Sequence, residues 1–143
     1  MEKPKFSVIL SSYNVPLDRF AAYGEPPKTA ADLIALCGKQ GLAKGVEMLT
    51  GNGPTDLNEQ NKKEVKAALE NSGLVLAGIL PNTWSGEFAK GSLSNSDPKL
   101  RRRAIDSVKK AMDLAAEMGC SYVGQWPSPG RLAGTRGLHT VDR

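Results

Sequence analysis

Four short apolar runs alternate with three amphipathic segments, and this order constrains the fold more than any other feature. The runs are residues 6–10, 44–49, 74–80 and 122–126. The first, Phe6-Ser7-Val8-Ile9-Leu10, is continuous and rich in β-branched residues, as strands covered on both faces are. Leu74-Val75-Leu76-Ala77-Gly78-Ile79-Leu80 is the most apolar. Between them lie helical patterns with punctuated ends. Thr29 with Asp32 reads as a capping box ahead of Leu33, Ile34, Leu36 and Cys37, with Gly38 and Gly41 as the stop. Asn58 reads as the cap of a second helix burying Val65, Ala68 and Leu69 and ending at Gly73. Asp97 and Pro98 open the third, where Leu100, Ala104, Val108, Ala111, Ala115 and Met118 recur at helical spacing until Gly119.

The order βαβαβαβ predicts a parallel sheet with right-handed crossovers. Two α/β architectures fit: a small doubly wound domain, or the first four βα units of a (β/α) barrel, which typically takes about 250 residues. The long stretches, residues 11–28, 50–57 and 82–96, all follow strands, where both architectures place their chemistry. Residues 127–143 break the pattern, having neither period nor core-forming run.

Charge and histidine content narrow the chemistry. The net charge is +4, but Arg131, Arg136 and Arg143 against Asp142 put half of it in residues 127–143. The chain's one histidine, His139, lies there too, so residues 1–126 offer no histidine base and no multi-histidine metal site. Cys37 and Cys120 have no metal-ligand spacing and read as small buried apolar residues in a reducing compartment. The mean hydropathy is −0.33. No run approaches the roughly 20 apolar residues of a membrane span, and the first residues show no signal core, so a cytoplasmic protein is expected. Lys99, Arg101, Arg102, Arg103, Lys109 and Lys110 make a basic helix, offset by Asp97, Asp106, Asp113 and Glu117. We read this as a solvated outer face, with no nucleic acid and no membrane as partner.

Residues 82–126 carry a resemblance. An aromatic and a glycine, Trp84 and Gly86, then Phe88 and the helix start Ser94-Asn95-Ser96-Asp97, resemble the loop after the third strand of xylose isomerase-like TIM barrels. Leu100 to Gly119 is similar to the helix that follows, and 122–126 to the fourth strand with its terminal pocket tryptophan. The resemblance reaches more weakly across residues 5–126. It implies the first four βα units of such a barrel in residues 1–126, with 127–143 an irregular end. There a one-nucleotide shift of the codons for Pro129 to Ala133 is compatible with Gln-Asp-Gly-Trp, the kind of run related barrels place after this tryptophan, so an out-of-frame tail is expected.

The resemblance also implies sugar isomerase or epimerase chemistry dependent on a divalent metal of the magnesium, manganese or cobalt type. The family holds that metal with carboxylates and a histidine on strands five to eight, none of which is present. Xylose isomerases proper carry a further histidine at the end of strand two, where this chain has Leu49. Endonuclease relatives on the same barrel also need histidine ligands. We therefore expect a fragment, inactive alone, with no catalytic and no metal-ligating residue.

Its expected contribution is a substrate wall for a small sugar: Trp126 against the ring, Trp84 and Asn82 at the mouth of strand three, and Phe88 in the loop. Glu47, in the Gly45-Val46-Glu47 pattern shared by sugar-isomerase relatives, would bind substrate or pair with a lysine, since an inward carboxylate is costly alone. Tyr13 and Asn14 are weaker candidates. Self-association, aggregation or a molten state is expected of four strands that do not close. The alternative is a complete small α/β domain that binds a ligand or partner without catalysis.

Overall fold

The computed structural model describes residues 5–13, 29–84, 86–88 and 91–126. Strands β1 (Ser7–Ile9), β2 (Gly45–Thr50) and β3 (Val75–Pro81) form one parallel sheet in that order. Helices α1 (Ala30–Gln40), α2 (Lys62–Ser72) and α3 (Pro98–Met118) make the connections. Residues 122–126 lie beside β3 in parallel, but only through the bridge Ile79–Val123. The Ile79 N–H donates to the Tyr122 carbonyl at 3.0 Å, and the Gly124 N–H to the Ile79 carbonyl at 2.9 Å. The expected fourth strand is therefore reduced to one bridge: this segment has a neighbour on one side only among the described residues, and Gly124 adds no side chain to hold it.

Helix ends follow the sequence signals. Thr29 and Asp32 close the capping box, and Asp97 Oδ1 accepts from the Lys99 N–H at 2.8 Å. Gly41, Gly73 and Gly119 end the three helices in the left-handed conformation. Two details differ from the sequence reading. Gly38 sits inside α1, where a Cβ would stand 2.7 Å from Ser72 Cβ, so it allows α1 to approach α2 rather than ending the helix. Asn58 caps a preliminary turn, its Oδ1 accepting from the Gln60 and Asn61 N–H groups, before α2 begins at Lys62.

The core lies on one face of the sheet. Val46, Met48 and Ile79 pack there with Leu33, Ile34 and Cys37 of α1, Val65 and Leu69 of α2, and Ala111, Leu114 and Ala115 of α3. Each large apolar side chain buried fully in this layer contributes about 1.5–3 kcal/mol. The pairing slips between Val46 and Glu47, so that Val46 faces Leu76 while Glu47 faces Gly78. Ala77 is the extra residue. The bulge turns both Leu76 and Ile79 toward the helices and leaves Ala77 and Gly78 on the opposite face.

Candidate functional site

That opposite, inner face mixes the small and polar residues Ser7, Glu47, Ala77 and Gly78 with the larger Val75, Leu80 and Tyr122. Glu47 on β2 stands beside Gly78 on β3, and Ser7 on β1, which pairs with Gly45, lies diagonally across from Glu47. The Ser7 hydroxyl donates to Glu47 Oε1 at 2.6 Å. Among the described residues the partner shown for this carboxylate is this hydroxyl and not a lysine, in an exposed charge-assisted hydrogen bond. Tyr122 lies flat over the same face: a Cβ on Gly78 would be 2.9 Å from its Cδ1, and one on Gly124 3.0 Å from its hydroxyl. Glycine at both positions is what lets the ring approach the backbone.

The ends of the strands form the mouth. Trp84, just past β3, meets Trp126 with ring centroids 5.6 Å apart and planes tilted by 46°, a favourable edge-biased geometry for two indoles. Beneath them Thr83 is fully buried, and its Oγ1 accepts from Gln125 Nε2 at 3.4 Å. Trp126 is 52% exposed, leaving one indole surface open to solvent. The loop carrying Trp84 is fastened to α3 from several sides. Asn95 donates to the Gly91 carbonyl and accepts from the Asp97 N–H. Arg101 donates to the Asn95 carbonyl at 2.6 Å, and Arg103 pairs with Glu87 at 2.5 Å.

The five sequence candidates thus fall in three places. Trp84 and Trp126 come together at the mouth, and Glu47 lies deeper on the inner face. Phe88, only 5% exposed, and Asn82 instead line an outer groove of about 820 Å³ between the loops after β2 and β3 and the flank of α3. At its rim Lys62 bridges α2 and α3, binding Glu59 at 2.7 Å and also Glu117. The two carboxylates raise the Lys62 pKa above its ordinary value, Glu117 more than Glu59. Thr83, Gln125, Ser7 and Tyr122 were not singled out by sequence. Adjacency to the two tryptophans marks the first two; nothing local marks Ser7 or Tyr122.

Tyr13 ends the helical turn Leu10–Tyr13, whereas Asn14, His139 and all of residues 127–143 lie outside the described residues. Cys37 and Cys120 are free and buried. No helix among the described residues is long and apolar enough to cross a membrane. The described residues do not by themselves form a divalent-metal site. Among those described, no three His, Cys, Asp or Glu side chains converge, and the inner-face carboxylate Glu47 is already bound by Ser7.

Parallel strands with helices packed on one face and aromatics at the strand ends fit part of a β/α barrel. Comparison with known proteins agrees: the profile of the family described as Xylose isomerase-like TIM barrel matches residues 34–141. The chain belongs to that family. Among curated relatives, xylose isomerase of Thermus thermophilus is 31% identical over 75 residues, covering 52% of this chain and 19% of that protein. Among solved structures, a xylose isomerase-like TIM barrel protein from Mycobacterium smegmatis, in complex with magnesium, superposes with a TM-score of 0.52 at 15% identity. That match covers 85% of this chain and 37% of the other, so the chain spans well under half the length of these relatives. The shared fold is that of a partial barrel with three parallel strands in place.

Proposed function

We propose that this chain is the substrate-wall part of a sugar isomerase or epimerase, acting on a small sugar through metal-dependent chemistry whose ligands it does not itself supply. The Trp84–Trp126 pair carries the reading. The half-exposed Trp126 indole beside the part-buried Gln125, which donates to the buried Thr83, suits a molecule with C–H groups on one side and hydroxyls along its rim. Glu47, held by Ser7 on the inner face of the sheet, offers a carboxylate for a further hydroxyl. Asn82 and Phe88 serve by shaping the loop from outside.

The metal dependence is supported by the solved Mycobacterium smegmatis relative, which is a complex with magnesium. Because the described residues form no ligand cluster, the carboxylates and histidine would come from further strands, and residues 1–126 would act as the first half of the barrel. The same reading includes a boundary after residue 126, self-association of the chain, and a reducing, cytoplasmic setting in keeping with two free buried thiols. The test is an aldose–ketose interconversion assay of the 143-residue chain with Mg²⁺, Mn²⁺ or Co²⁺. No turnover is expected. Metal-stimulated turnover by this chain alone would overturn the division of labour.

A further inference from the structure

Two consecutive residues after β3, Thr83 and Trp84, meet two consecutive residues of the neighbouring segment, Gln125 and Trp126. The pairing is one to one: Thr83 with Gln125 by a hydrogen bond, Trp84 with Trp126 by their rings. Burial falls off toward the mouth. Thr83 is fully buried, Gln125 is half-buried and Trp126 is exposed. A hydroxyl shut off from water needs its partner within the protein. For Thr83 the partner shown is the Gln125 side chain.

That bond has a direction. Gln125 Nε2 donates and Thr83 Oγ1 accepts, at 3.4 Å. A primary amide has two unlike ends, an NH₂ that donates and a carbonyl oxygen that accepts. Here the donor end is engaged inside, and among the described residues no hydrogen bond is shown for Oε1.

We propose that Gln125 is the specificity-determining residue of this mouth and Thr83 the residue that positions it. The amide turns its carbonyl oxygen outward beside the Trp126 indole and selects ligands that donate a hydrogen bond there. The proposal rests on the sugar-wall reading of the two tryptophans and adds a polarity to it. An indole face alone takes any C–H surface. An acceptor beside it takes a hydroxyl, and disfavours fluorine or a bare C–H at the same place.

Two readouts on the 143-residue chain test this, with circular dichroism as the control for folding. The first needs no ligand: side-chain amide exchange at Gln125 by nuclear magnetic resonance. Exchange should be about tenfold slower in the wild type than in Thr83→Val, with Thr83→Ser restoring the slow rate. The second is tryptophan emission titrated with xylose and with its monodeoxy and deoxyfluoro derivatives. Xylose should bind about tenfold more tightly than the derivative altered at the contacted hydroxyl, the worth of one such hydrogen bond. Gln125→Leu should remove that preference with both tryptophans kept, and Gln125→Glu, which retains an acceptor, should preserve it. A mute titration with a slowly exchanging amide would overturn the sugar wall and leave the amide orientation supported. A wild-type Gln125 amide that exchanges as fast as in Thr83→Val would overturn the proposal whatever the sugars do. So would a deoxyfluoro series bound as tightly as xylose, or a preference unchanged in Gln125→Leu.

Discussion

The Tyr122 ring lies against Gly78 so closely that a Cβ at position 78 would stand 2.9 Å from Tyr122 Cδ1 and 3.2 Å from Glu47 Cγ. This contact ties residues 122–126 to β3 where the ladder supplies a single bridge. Gly78→Ala should therefore destabilise the chain by about 1–3 kcal/mol, as overpacking does. The Tyr122 ring makes the shorter of the two contacts, so most of the clash is with it. In a Tyr122→Ala background the same change should cost much less, and urea denaturation of the four-member cycle measures the difference.

Ser7 and Glu47 join β1 to β2 from the inner side. β1 has three residues, so a side-chain bond at 2.6 Å is a sizeable part of what holds it. Ser7→Ala should lower stability by about 0.5–1.5 kcal/mol, the usual range for one partly solvated hydrogen bond. The loss should appear as faster amide exchange in β1 with α3 unchanged.

The capping box at the start of α1 uses both Thr29 and Asp32, with Asp32 Oδ2 accepting from the Thr29 N–H at 3.2 Å. Thr29→Ala should cost about 1 kcal/mol in thermal or urea unfolding. Thr29→Ser, which keeps the hydroxyl, should restore most of it.

Lys62, at the start of α2, binds Glu59 just ahead of that helix and Glu117 on α3, and its pKa is raised in the folded chain. A raised cationic pKa means the bridge stabilises the fold fully below the ordinary value of 10.5 and loses that contribution as pH climbs through the higher folded value. The stability difference between the wild type and Lys62→Met should therefore be constant from pH 7 to 9 and shrink above about pH 10.5. Denaturation at paired pH values reads this directly, since the other titrating groups cancel in the comparison.

The helices were legible because their ends are chemical: Thr29 with Asp32, Asp97 with Pro98, and the glycines at 41, 73 and 119 each solve a local backbone problem. The three strands were legible as apolar runs. The bulge at Ala77 was not, because residues 74–80 are apolar throughout and carry no alternation from which a register slip could be read. The Trp84–Trp126 pair was only half legible: both residues were marked, but their meeting depends on how 122–126 lies beside β3. Asn82 and Phe88 were marked by the same loop, yet the groove along α3 takes them outward, a tertiary outcome that no local pattern encodes.

Trp84 and Trp126 are the chain's two tryptophans, so intrinsic fluorescence reports the proposed sugar wall and little else. The most direct measurement is therefore a titration of tryptophan emission with xylose and related aldoses and ketoses. The account predicts a saturable change in the millimolar range that is lost in Trp126→Ala while the fold, by circular dichroism, is kept. An emission spectrum that stays constant to the solubility limit of every sugar tried would contradict it.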